Sequence, residues 1–298
     1  MDRFSEILAR AIYTLTSSWQ SFLPANTRPL PDLTFRDWTV LRNSWTVRNG
    51  ITVDVLLTLY PYLLQEHVRQ ALHQLETMGL VAQTSDSVYR IGETSSHYFA
   101  NVEQALIQCA VTAMSLPLDS VSRLAVLSST LVDALLAGLA PVPAPIFRLI
   151  IPTIVPSEHP AGQILQRFLA LQAFLDDVHV ASWRAEKYSP PAIQVASFIF
   201  RNSGVVARDL FLNSPFFFDR EYLRSGLREL LTTNELIEVP EGYAFTRSGL
   251  DRREKIETQT NEYFQQLFKE QLSETGQKEW LTLTRNLAEG RKQTKALG

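Results

Sequence analysis

Arg220, Arg224 and Arg228 recur at every fourth position of REYLRSGLRELLTT, and Tyr222, Leu223, Leu227, Leu230 and Leu231 stand between and after them. That spacing fits an amphipathic helix, with guanidinium groups on one face and apolar side chains on the other. The residues that follow narrow the choice of fold. Asn234 stands where a left-handed residue would end the helix. ELIEV and YAF are short strand-like runs separated by Pro240, Glu241 and Gly242. A charged helix then begins at Ser248, with Thr246 as the other candidate cap.

An earlier stretch reads the same way. TVDVLLTLYP is a short helix ended near Pro61, and LLQEHVRQALHQLETMG is a second with Leu64, Val68, Leu72 and Leu75 on one face. Gly79 is its stop, and LVAQTS with VYRIG forms a candidate hairpin about Asp86. At a constant offset Glu66 falls on Glu221, Val68 on Leu223, Arg69 on Arg224, Leu72 on Leu227 and Leu75 on Leu230. Gly79 falls on Asn234, and both tolerate positive φ. Tyr89 misses Tyr243 by one place. These agreements point to an internal repeat. The competing account is that two amphipathic helices, each followed by a strand, align this well by chance.

The rest reads as helix. Phe4, Ile7, Leu8, Ile12, Leu15, Trp19 and Phe22 have mostly helical spacing over residues 4–23. Pro24, Pro29 and Pro31 mark a loop, Thr34 caps a helix through Trp38, Leu41 and Trp45, and Asn49-Gly50 signals a turn. Helices are expected over 95–116, 118–140, 145–151, 162–187, 192–201, 248–272 and 275–287, with a basic, frayed tail. The resulting division is 1–94 for N-terminal helices and a first unit, 95–189 for an all-helical middle, and 190–298 for a second unit with C-terminal helices. The expected class is mainly α with two small β hairpins.

Composition excludes several functions. The 298 residues carry a net charge of −3, with 45% hydrophobic and 20% charged residues. Any nucleic-acid contact must therefore come from a local patch rather than overall charge. Cys109 is the single cysteine, so no intrachain disulfide forms, and its apolar neighbours predict a buried, inert thiol. The N-terminus has no signal-peptide pattern. The most apolar region, 124–155, is broken by Asp133, Arg148 and several prolines, so no membrane span or membrane partner is expected. These features predict a cytoplasmic protein. There is no G-x-S-x-G, P-loop, G-x-G-x-x-G or C-x-x-C, so neither an enzyme nor a bound cofactor or metal is expected.

The stretches VRQALHQLETMGLV with VYRIGET, and LRSGLRELLTTNELIEV with YAFTRSGLDRREKIE, resemble the winged helix-turn-helix superfamily, in particular MarR-type regulators. Tyr243, Phe245, Thr246 and Gly249 are similar to the ending of a MarR wing. DDVHVASWRAEKYSPPAIQVASFIF is similar to a bacterial family of tandem helix-turn-helix proteins of unassigned role. The resemblance implies two winged-helix units around an all-helical middle. It places Arg220, Arg224 and Arg228 on a recognition helix against double-stranded DNA, with Arg247 near the wing. The first unit departs from this pattern. It holds Asp54, Glu66, Glu76, Asp86 and Glu93 but only Arg69 and Arg90 as bases.

Each signal has a competing reading. The arginine row can read guanine or pair with phosphates, or it is a solvated face neutralised by Glu221 and Glu229. Arg252, Arg253 and Lys255 are expected on a solvated helix, balanced by Asp251, Glu254 and Glu257. Asp176, Asp177, His179 and Trp183 are the candidates for chemistry in the middle, and Asp176 and His179, three apart on a helix, could share a ligand or metal. No further close His or Cys completes a set, so a satisfied polar residue between helices is the alternative. The apolar middle could line a pocket for a small-molecule effector. Apolar stripes at residues 4–23 and at Tyr263, Phe264, Leu267 and Phe268 suggest a homodimer. Three functions stay open: a transcriptional regulator of winged-helix type, a protein–protein scaffold without DNA binding, and a small-molecule-binding helical protein.

Overall fold

The computed structural model describes residues 4–27, 30–47, 50–85, 87–151, 157–202, 205–207 and 220–295. Pro29, Asn49, Asp86 and the last residues of the tail, each expected in loop, turn or frayed structure, lie outside them. The described chain is mainly helical with two small antiparallel sheets. It groups into two compact units, each assembled from separate stretches. One comprises Met1–Leu30, Glu93–Val178 and Asn261–Gly298, the other Pro31–Gly92 and His179–Thr260.

The first unit contains α1 (Phe4–Thr16), a 3-10 turn (Trp19–Phe22), α5 (Glu93–Ala113), α6 (Leu118–Leu136) and α7 (Pro145–Ile150). It also takes the first part of α8 (Pro160–Ala185), the last part of α11 (Arg247–Gln271), and α12 (Glu274–Lys295). α1 packs along α12, and Thr14 Oγ1 donates to the carbonyl of Ala288 at 3.3 Å. Phe168, Trp280, Phe268, Phe264 and Phe174 form a run of ring contacts, the closest being Phe268 to Trp280 with centroids 4.7 Å apart. The Trp280 indole N–H donates to Ser128 Oγ at 3.0 Å, which satisfies the one polar atom of that ring. Ile7, Leu8, Leu15, Phe264, Leu267 and Phe268 are all core residues here. Of the side chains that suggested an interface between copies, these six are thus buried within one chain, whereas Ile12, Trp19, Phe22 and Tyr263 are half-buried. Cys109 is buried and free, as its apolar neighbours predict.

The second unit holds two modules of matching design. The first module is α2 (Phe35–Trp45), α3 (Val53–Leu59), α4 (Gln65–Thr77), β1 (Val81–Ser85) and β2 (Val88–Ile91). The second is α9 (Pro190–Arg201), β3 (Val205–Ala207), α10 (Arg220–Thr232), β4 (Leu236–Val239) and β5 (Gly242–Phe245), followed by α11. Thr34 caps α2 by accepting from the Asp37 amide at 3.1 Å.

Two backbone features recur in both modules, the second shifted by one residue against the offset that aligns Gly79 with Asn234. Gly79 and Asn234 have φ of 71° and 57°. Each ends its helix in the same way: Leu80 N–H donates to the Leu75 carbonyl at 2.9 Å and Glu235 N–H to that of Leu230 at 2.8 Å. The return strands close alike, with Gly92 N–H on the Leu80 carbonyl at 2.8 Å and Thr246 N–H on that of Glu235 at 3.0 Å.

The sequence reading missed one feature common to both modules. Ile51 exchanges backbone hydrogen bonds with Tyr89 at 2.9 and 2.8 Å. β3 pairs antiparallel with β5, placing Val206 opposite Tyr243 in a sheet of order β3-β5-β4. In each module a segment after the first helix therefore pairs with the last strand. One to three residues cannot signal a strand by alternation; a distant partner makes them one.

Candidate nucleic-acid interface

α10 sorts its side chains as its periodicity demands. Tyr222, Leu223, Leu227 and Leu230 are buried, and Leu231 is half-buried. Gly226 sits against the carbonyl of Pro191, so α9 and α10 meet backbone to backbone. The opposite face carries exposed Arg220, and Arg224 and Arg228 with side chains 60% and 71% exposed. Glu221 stands 3.8 Å from Arg224 and 3.7 Å from Arg228. Pairs that long and that exposed contribute little, roughly 0–1 kcal/mol each, so they leave the arginines free to change partner. Glu229, the other acid expected to neutralise the row, points the other way. It accepts from Ser189 Oγ at 2.5 Å and from the Ser189 amide at 3.3 Å, fixing the start of α9.

Thr246, not Ser248, caps α11, accepting from the Gly249 amide at 3.1 Å. Arg247 follows at 85% exposure, paired with Asp251 at 3.1 Å. It stands at the end of the β4–β5 hairpin, on the module that carries the arginine row.

On the same helix two of the charges expected to be solvated, Arg252 and Arg253, are drawn inward, while Lys255 stays exposed. Arg252 donates to the Glu186 carbonyl, pairs with buried Glu235, and lies 4.3 Å over the Tyr188 ring. Tyr188 donates to the same Glu235 carboxylate, and burial together with that bond raises its hydroxyl far above the ordinary range. Lys255 reaches Glu186 at 2.6 Å. Arg253, whose side chain is only 5% exposed, pairs with Glu257 at 2.6 Å and lies over the Phe200 ring. The solvated-helix reading of Arg252 and Arg253 is therefore corrected. For Arg252 it counted only acids near in sequence, whereas Glu186 and Glu235 come from elsewhere in the unit; Arg253 does pair with nearby Glu257 but is buried against Phe200.

The matching face of α4 is different in kind. Gln65, Glu66, Arg69 and His73 are exposed at the positions of Arg220, Glu221, Arg224 and Arg228. Arg36 donates to Gln70 at 3.0 Å, and Gln70 donates to Glu66 at 3.2 Å. His67 is buried with its ring 5.3 Å from that of Tyr222, and the Tyr222 hydroxyl donates to the Tyr62 carbonyl.

Of the residues weighed for a ligand, Asp176 is exposed and accepts from Gln172 at 3.1 Å. His179 is half-buried with Nδ1 3.4 Å from Thr260 Oγ1. Burial, then the Arg253 charge, hold its pKa down to about 4. Trp183 is buried beside Tyr62, with centroids 6.0 Å apart, and its indole N–H has no partner among the described residues. No group of three or more His, Cys, Asp or Glu among the described residues could hold a metal ion. Asp177, next to Asp176 in the chain, plays a structural part, since its two oxygens accept the Ile146 and Phe147 amides at 2.9 and 2.8 Å. No helix among the described residues is long and apolar enough to cross a membrane. Comparison of the chain with family models, with curated proteins and with solved structures finds no match in any of the three.

Proposed function

We propose that the chain is a DNA-binding transcriptional regulator built from two winged-helix modules. In this reading α10 is a recognition helix and β4–β5 a wing. The observation that carries it is the outward row of Arg224 and Arg228 on a helix followed by a hairpin, with exposed Arg247 at the hairpin's root. The order of helices and strands in both modules, each with an early segment paired to its last strand, supports the winged-helix form. Such a helix is offered to the major groove, where arginine reads guanine edges or grips phosphate.

The test is binding of random duplex DNA followed by fluorescence anisotropy at low and moderate salt. Salt-sensitive binding that is lost in Arg224→Ala with Arg228→Ala supports the reading; no binding at low salt removes it.

A second reading is a protein-binding scaffold. The excess of acids over bases in residues 52–93 and Glu221 beside the two arginines favour it, and failure to bind DNA would leave it standing. A homodimer and a small-molecule effector belong to the regulator reading. A homodimer would need surfaces other than the buried faces of α1, α11 and α12, and light scattering decides it. Native mass spectrometry of the parent and of His179→Ala would reveal an effector bound near His179.

A further inference from the structure

The contact between His67 and Tyr222 has a property that an ordinary contact lacks. At the offset that superimposes the modules, His67 and Tyr222 are the same position: each is the third residue of its 13-residue helix. Their rings meet with centroids 5.3 Å apart. A contact between equivalent residues, each at the start of its helix, sets the amino ends of α4 and α10 against each other. Here both helices belong to one chain and one compact unit.

We infer that α4 and α10 are held together at their amino ends, so that only one of them, α10, can enter a major groove of a straight duplex. This rests on the winged-helix reading above. The geometry sets the limit. Each helix midpoint, Ala71 or Gly226, lies four residues beyond the contact, roughly 6 Å along the axis at about 1.5 Å per residue. With both side chains extended and the helices in line, the midpoints are about 25 Å apart at most. Two recognition helices in successive major grooves on one face of DNA need about 34 Å. The pair is too close to span two half-sites one turn apart.

Charge decides which helix is used. α10 presents three arginines, whereas α4 offers Arg69 beside Glu66, with Gln70 bonded to Glu66 and Arg36. The first module then acts as a fixed partner that holds the amino end of α10 through the His67 ring and the Tyr62 carbonyl. The DNA target of one chain is a single half-site, without a symmetric mate one turn away.

Two measurements on the full chain test this. Nitroxide labels on Arg69→Cys and Arg224→Cys, with Cys109 buried and unreactive, should give an electron–electron distance of about 15–30 Å, since each label stands two residues past the contact. A distance beyond about 40 Å, more than the two helices and label arms allow, would overturn the pairing. In salt titrations on a duplex of about 30 base pairs, Arg224→Ala should reduce the slope of log affinity against log salt by about one, and Arg69→Ala should leave it unchanged. Equal reductions by both variants would overturn the one-helix engagement. If no variant and no parent protein binds DNA, the regulator reading falls, while the label distance still upholds or overturns the pairing.

Discussion

Gly226 shows how little room the second module leaves at one atom. A Cβ there would lie 2.4 Å from the Pro191 carbonyl oxygen and 2.6 Å from its carbon. The matching residue of the first module is Ala71, fully buried, so α2 and α4 stand far enough apart for a methyl group. Gly226→Ala should cost about 1–3 kcal/mol through displacement of α9, read by urea unfolding, and Ala71→Gly should cost about 1–2 kcal/mol through helix propensity and the lost buried methyl. His179 and Asp177 pull against each other with pH. The folded His179 pKa is about 4, below its ordinary 6.5, so the unfolded chain takes up the extra proton and stability is lost as pH falls through that window. Burial raises Asp177 from 3.8 to about 6 against the pull of its two amide bonds, so acidification through that window adds stability. His179→Gln removes the first effect and leaves the second. Relative to the parent protein, the variant should be more stable at pH 4.5 than at pH 7, by an amount that paired unfolding curves measure.

At the scale of elements, α7 depends on a residue far along the chain. Its N-cap position is Ala144, which offers no side-chain acceptor, and Asp177 of α8 supplies both oxygens. Asp177→Ala strands two buried amides and should cost about 2–4 kcal/mol, with Asp177→Asn milder because one acceptor oxygen survives. Thr246→Ala removes the cap of α11 and should cost about 1 kcal/mol in the same assay. The elements easiest to read in the sequence were those set by neighbours. The α10 stripe, the stops at Gly79 and Asn234, and the Thr34 cap are decided within a few residues. What escaped was set at a distance. β3 and the Ile51 bridge exist because Tyr243 and Tyr89 pair with them, and Asp177 looked like a candidate for chemistry because its partners are 30 and 31 residues away. The outward arginine row was legible because amphipathic spacing fixes direction. The inward turn of Arg252 and Arg253 was not, because Glu186 and Glu235, which receive Arg252, and Phe200, which covers Arg253, are all distant in sequence.

For the molecule as a whole, a net charge of −3 means that binding to DNA gains nothing from bulk attraction. With three arginines on α10 and one at the hairpin, the salt slope should not exceed about four ion equivalents, well short of broad-surface binders. Glu221→Gln should raise affinity for duplex DNA a few-fold at low salt, because it removes the only acid within ion-pair reach of both Arg224 and Arg228 among the described residues. The charged cluster at Glu186, Tyr188, Glu235 and Arg252 has one more effect. It anchors the root of the hairpin and the first turns of α11 before any partner arrives. A surface that is already rigid surrenders little motional freedom on docking, so calorimetry should record a small heat-capacity change proportional to the contact area, with none of the surplus that accompanies folding on arrival.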